Sequence, residues 1–214
     1  MNPDRLRRKL LKAIGIASLA LSGGARAAGS LPMAAGITGL AGRVTVNGKP
    51  VRVGQLISRG DLVETGPGSH VVLVVEKDAF LLRENTRIAF DPEDITLRLQ
   101  VLAGKILSVM AQGRTRKVRT PSASLGIRGT GFYIEVEPER TYLCTCYGTV
   151  ELGPANHAMR ETVTTAHHES PRYIYDRADN AIVKAPVINH TDDELIMLES
   201  LVGRRPPFTP GEYY

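Results

Sequence analysis

Between residues 36 and 152 the apolar positions come in short runs, and a turn signal cuts each run off before it reaches helical length. Arg43-Val44-Thr45-Val46 leads into Asn47-Gly48, a pair that accepts the positive φ angles of a tight primed turn, and Val51-Arg52-Val53 returns from it. Pro50 fits such a hairpin only near a strand start or on an edge. Further runs are Leu62-Val63-Glu64-Thr65, ended by Gly66-Pro67-Gly68-Ser69, then 71–75, and 79–82 after Lys77-Asp78. Strands are predicted next over 86–90, over 95–102, where Ile95-Thr96-Leu97-Arg98-Leu99 alternates, and over 106–109 behind Gly104. A basic, solvated stretch over 114–119 precedes the last two, 132–136 and 142–152. Many short runs rich in Val, Ile and Thr predict a mainly β domain: a short-strand roll, a sandwich or a β-helix-like stack.

Beyond residue 152 the period changes once. Thr191-Asp192-Asp193-Glu194 has the form of a capping box, and Leu195, Leu198 and Val202 follow at helical spacing. Gly203 with Pro206-Pro207 ends the run, so one short α-helix is expected near 191–203. Aromatic residues make up only 5% of the chain and tryptophan is absent, so the core must be built mainly from Val, Leu and Ile.

Charge changes the picture at the amino terminus. Arg7-Arg8-Lys9-Leu10-Leu11-Lys12 precedes a short apolar stretch over 13–21, and Ala25-Arg26-Ala27 supplies small residues for cleavage. This is the layout of a secretory leader over 1–27, too short and too rich in small residues for an ordinary spanning helix of about 20 residues. Its arginine pair also resembles the twin-arginine export signal, with Leu6 where Ser or Thr is common. The expected location is the periplasm, with an inner-membrane anchor as the alternative if the leader stays uncleaved. Removing the leader takes six of the 27 basic residues and one of the 22 acidic ones, leaving 21 of each. The alkaline balance therefore belongs to the leader, and no nucleic-acid partner is expected.

Three quoted motifs carry a resemblance. Gly54 and Leu56 are followed by Gly60-Asp61-Leu62-Val63-Glu64-Thr65-Gly66, then by Leu102-Ala103-Gly104-Lys105. The most specific is Thr120-Pro121-Ser122-Ala123-Ser124-Leu125-Gly126-Ile127-Arg128-Gly129-Thr130-Gly131-Phe132. In order and spacing these resemble the FecR family of bacterial envelope proteins over 36–152. The resemblance implies a β domain, an envelope location and an envelope protein partner. Better known members look like signal relays in iron-citrate uptake, with a cytoplasmic sigma-binding segment and a membrane helix. The leader here is too short for that segment, so a stand-alone exported member is the closer comparison. The glycines of 126–131 read as tight turns or close backbone approach, with Arg128 reaching loop carbonyls or a carboxylate. An anion-binding loop is the rival, although the run lacks the ending of a phosphate loop.

The extension over 153–214 and the strand before it gather the chemistry. Cys144 and Cys146 are the only cysteines, and His167, His168 and His190 follow them. In a strand both thiols share one face, with α-carbons roughly 6.5–7 Å apart, the upper edge for a disulfide. An oxidising compartment favours either that disulfide or protection by a metal. Two thiolates with one or two imidazoles suit zinc, and also a non-haem iron or iron-sulfur centre. In a strand His167 and His168 would face opposite ways, so one joins the thiols and the other meets solvent. Glu169 is the expected acceptor that fixes an imidazole's tautomer, and His190 stands at the helix entrance, a fixed place from which to present a ligand. The plain alternatives are a reduced core pair of cysteines with polar loop histidines. The segment Pro171-Arg172-Tyr173-Ile174-Tyr175-Asp176 reads as a docking strand, and Arg204-Arg205-Pro206-Pro207-Phe208 as a tail packed across the domain.

No serine sits in a nucleophile elbow and the acids have no diagnostic pairing, so catalysis is not expected. The sequence therefore predicts a binding or structural module, with a metal- or cluster-binding protein and a membrane-held relay as alternatives.

Overall fold

The computed structural model describes residues 34–93, 98–113 and 115–209. The leader with its arginine pair, the strand start at Ile95 and Arg114 lie outside the described residues. Fourteen strands are present among them: β1 (Gly36–Ala41), β2 (Val44–Val46), β3 (Lys49–Pro50), β4 (Leu62–Thr65), β5 (His70–Val75), β6 (Asp78–Leu82), β7 (Arg87–Phe90), β8 (Arg98–Val109), β9 (Arg116–Arg119), β10 (Ala123–Val136), β11 (Arg140–Pro154), β12 (Glu161–Thr165), β13 (Arg172–Tyr175) and β14 (Ile182–Lys184). One helix, α1 (Asp192–Leu201), follows. The mainly β class and the single short helix agree with the sequence pattern.

The strands form one hydrogen-bonded path in the order β14-β13-β11-β10-β9-β8-β7-β4-β2-β3, with β6, β5 and β1 joined through β8, and β12 through β11. Among the described residues only the β8–β9 pairing is parallel. Short strands such as β4, β9 and β12 bury alternate residues, whereas β5 and β6 are buried on nearly every position. That difference marks strands covered on one face from strands covered on both.

Several boundaries differ from the sequence expectation, each for a tertiary reason. Asn47 and Gly48 do turn the first hairpin with positive φ, but the return strand is Lys49–Pro50, not 51–53. Pro50 sits on the last strand of the path, an edge where its missing N–H costs no ladder bond. The strands expected to break at Gly104 are one strand, β8. Its first half pairs with β7 and β9 and its second half with β6 and β10. Gly104 has φ +86°, and a Cβ there would lie 2.4 Å from the Thr86 α-carbon, so glycine lets β8 bend against Thr86 without leaving the sheet.

The glycine-rich run is likewise inside a strand. β10 pairs with β9 through Ser124–Ile127 and with β8 from Gly131 onward, and its ladder with β11 is irregular between Arg128 and Gly131. A Cβ at Gly131 would meet the Tyr147 ring at 2.4 Å. The run is thus the corner where β10 changes partners, and close backbone approach is its physical reason. Arg128 donates to the Thr115 hydroxyl (3.1 Å), not to a carbonyl or carboxylate. The basic stretch is not wholly solvated either: it forms β9, in which Val118 is fully buried and Arg116 pairs with Asp78 at 2.6 Å. The polar strand β12 gave no clear apolar run and is found only in the structure, as the hairpin partner of β11.

Two apolar layers result. One packs Val63, Leu73, Phe80, Ile88, Ile106, Ile127, Phe132 and Val150 between inward strand faces. The other lies on the opposite face and packs Leu81, Leu107, Tyr133, Tyr142, Cys144, Cys146 and Tyr147 against Leu195, Leu198 and Val202 of the helical segment. The cysteines therefore sit under α1.

Candidate metal centre

The period-two rule puts Cys144 and Cys146 on one face of β11, and both are fully buried there. Both are free cysteines. β11 then turns back through β12 in register Gly148↔Thr165, and the His168 amide donates to the Cys146 carbonyl at 2.9 Å. His168 has φ +54°, a left-handed conformation that is uncommon for a residue with a Cβ. The loop after β12 is in this way folded back over the cysteine face.

The entrance to α1 is pinned from the other side. The Tyr142 hydroxyl donates to the Pro186 carbonyl (2.8 Å) and accepts from the Ile188 amide (3.3 Å). Asn189 donates to Glu135, and Arg83 donates to the Asn189 carbonyl. His190 then stacks on Tyr133, with ring centroids 4.7 Å apart and planes 21° apart. Thr191 caps the helix as expected, accepting from the Glu194 amide while its own amide donates to Glu194.

Four sequence-predicted residues converge. The ligand atoms of Cys144, Cys146, His168 and His190 lie within 4.8 Å of one another, and all four residues are buried. Cys144 Sγ is 3.4 Å from His168 Nδ1, which is 3.0 Å from His190 Nε2. His167 does not join the thiols, and it does not meet solvent: it is buried against Phe208, and its Nε2 bonds Asp192 Oδ1 at 2.9 Å. The strand-face argument failed because 167 and 168 lie in the turn after β12, where alternation does not apply. Glu169 accepts from the Ala166 amide instead of from an imidazole.

The carboxylate that meets the imidazoles is Asp192, whose Oδ1 also faces His168 Nε2 at 3.1 Å. In the sequence Asp192 stands out only as part of the capping box. Its place next to His190 in the first helical turn was the available signal. The Ile188 carbonyl, 2.6 Å from His190 Nδ1, has no side-chain signature at all.

Electrostatics follow the geometry. Hydrogen bonding from the Cys146 thiol, aided by His168 and His190 against the cost of burial, holds Cys144 down at about 4. Burial, then the neighbouring Cys144, pushes Cys146 well up. Burial pulls His168 down, but Cys144 and Asp192 together outweigh it and leave the imidazole raised. The arrangement gathers two sulfurs and two imidazole nitrogens at one buried point, a set of donors able to hold a metal ion.

The fold and this cluster define a bent β domain with a polar centre sealed beneath a terminal helix. Residues 61–151 match the family model described as FecR protein, so the chain contains a FecR-like domain. Two crystal structures of candidate anti-sigma factors from Parabacteroides distasonis ATCC 8503 are similar over part of the chain. One, at 1.65 Å resolution, shares 14% identity at a TM-score of 0.48 over 58% of this chain and 58% of its own. The match thus spans little more than half of that chain's length. The other, at 2.50 Å, shares 14% identity at a TM-score of 0.48 over 64% of this chain and 71% of its own. No curated protein matches. Among the described residues, no helix is long and apolar enough to cross a membrane.

Proposed function

We propose that this chain is a non-catalytic FecR-like binding module, exported to the periplasm of a bacterium, that carries a metal centre formed by Cys144, Cys146, His168 and His190. The observation that carries the reading is the convergence of those four buried side chains inside a FecR-like domain. Four protein ligands complete a tetrahedron and leave no open position for substrate, which is the arrangement of a structural rather than a catalytic centre. The leader supports export, and the FecR-like domain supports an envelope protein as the partner.

Intact mass and elemental analysis of protein purified from cytoplasm and from periplasm test the reading together. One metal per chain and a mature form beginning at Ala28 are expected. Metal-free protein with a Cys144–Cys146 disulfide would sink the metal centre. A leader still attached in the membrane fraction would favour instead a membrane-held relay with 1–27 as its anchor.

A further inference from the structure

Four atoms converge at the centre, and the partners behind two of them decide what belongs there. The Ile188 carbonyl can only accept, so His190 Nδ1 carries the proton and Nε2 carries the lone pair. The Asp192 carboxylate likewise takes the proton of His168 Nε2, so Nδ1 is the His168 atom turned to the centre. These two nitrogens face each other at 3.0 Å, with the Cys144 sulfur 3.4 Å from one of them. At that distance a positive centre lies between them, either a proton on His168 Nδ1 or a cation. A shared proton would bridge one pair of atoms, whereas a cation answers all four.

The spacing also selects the kind of cation. Zinc bonds of about 2.3 Å to sulfur and about 2.0–2.1 Å to nitrogen place tetrahedral ligand atoms roughly 3.3 Å (N to N) and roughly 3.6 Å (S to N) apart. The observed separations are within a few tenths of an ångström of both. A two-iron cluster with the same ligand types puts its thiolates on one iron and its imidazoles on the other. Those pairs must stand farther apart than ligands of one ion, and the contact between Cys144 and His168 leaves no room for that. The second group of potential ligands, His167, His168 and Asp192, needs no ion, because both imidazole N–H groups already donate to the one carboxylate.

Resting on the metal centre proposed above, we infer that its occupant is a single zinc-class ion in closed S2N2 coordination, and that it acts as a clasp fastening α1 and the loop after β12 to the FecR-like sheet. The ligands come from three separate places in the chain: β11, the turn at His168 and the residue before the Thr191 cap. All four are buried, the two cysteines in the layer that Leu195 and Leu198 complete, with the Phe208 ring 4.3 Å from the adjoining His167 ring. The ion must therefore enter before α1 docks or together with it. Its binding free energy becomes docking free energy.

The experiment uses the full chain and zinc itself. X-ray absorption of the zinc-loaded protein is expected to give two sulfurs at about 2.3 Å and two nitrogens at about 2.0–2.1 Å. Cobalt substitution should give the strong visible absorption of tetrahedral thiolate coordination. Stripping the metal should lower amide-exchange protection across α1 and 166–190, by roughly 100-fold relative to protein held at 100 times the dissociation constant, while β8 and β10 keep theirs. Cys146→Ser should reduce zinc from one per chain toward none, and the wild-type spectra keep the test decisive even where that variant misfolds. Protein that binds no metal overturns both this inference and the metal centre. Bound iron, a cluster, or an oxygen ligand leaves the metal centre standing and overturns the zinc assignment. An α1 equally protected with and without zinc overturns the clasp.

Discussion

Asp192 serves two histidines through one carboxylate oxygen, and this decides which nitrogen of His168 is free. Asp192→Asn keeps the shape but weakens the acceptor, so zinc affinity should fall about 10–100-fold, as outer-shell substitutions do. Competition against a chromophoric chelator measures this, and an unchanged affinity would show that the carboxylate does not orient the ligand. His70, at the start of β5, is held below its ordinary 6.5 by burial and then by the charge of Arg83. Its neutral form is the one the fold favours, so its contribution is complete above pH 6.5 and is lost as pH falls through the folded value. A proton NMR titration should place His70 below 6.5, and His70→Asn should flatten that part of the stability profile. Gly131 allows the Tyr147 ring to lie on β10. Gly131→Ala must displace a ring whose hydroxyl bonds Glu199 of α1. A loss of about 1–3 kcal/mol is expected in urea unfolding.

Elements are fastened by different forces on the two faces of the sheet. α1 depends on its cap, on Leu195 and Leu198, and on ion pairs from Arg83 to Glu194 and from Arg204 to Glu199. Thr191→Ala removes the cap and should cost about 1 kcal/mol, with exchange rising first in the opening turn of the helix. On the other side β9 is tied to β6 by Asp78, which faces Arg116 and accepts the Ala111 amide. Burial raises the Asp78 carboxyl despite these partners. Asp78→Ala leaves a buried guanidinium without that carboxylate and should destabilise the fold by about 3–5 kcal/mol. A loss below 1 kcal/mol would mean that Arg116 finds a full replacement nearby. The docking strand expected at Pro171–Asp176 is β13, paired with β11 at Arg140↔Tyr175 through Leu143↔Arg172. Its Tyr and Ile residues made it legible, whereas β12, Glu-Thr-Val-Thr-Thr, offered a single buried aliphatic side chain and was not.

At the scale of the molecule, the extension adds two strand pairings, a helix and an aromatic lid to the domain that the FecR family model covers. If the centre fills in the cytoplasm before export, periplasmic protein should carry the same one zinc per chain as cytoplasmic protein. Periplasmic protein that is metal-free, beside loaded cytoplasmic protein, would show that export does not carry the ion. The β class, the helix with its cap, and the residue types able to hold a metal are all legible in the order of residues. These are local properties: apolar period, turn chemistry and side-chain donors are written in neighbouring residues. That β8 and β10 run unbroken through their glycines emerges only from the folded structure, since a bend and a break look alike until the second partner strand is known. It alone chose His168 over His167, because a left-handed turn rather than strand alternation aims that ring. It alone put Asp192 and the Ile188 carbonyl behind the imidazoles, contacts made across 24 residues of chain and by a backbone atom that no side-chain pattern marks.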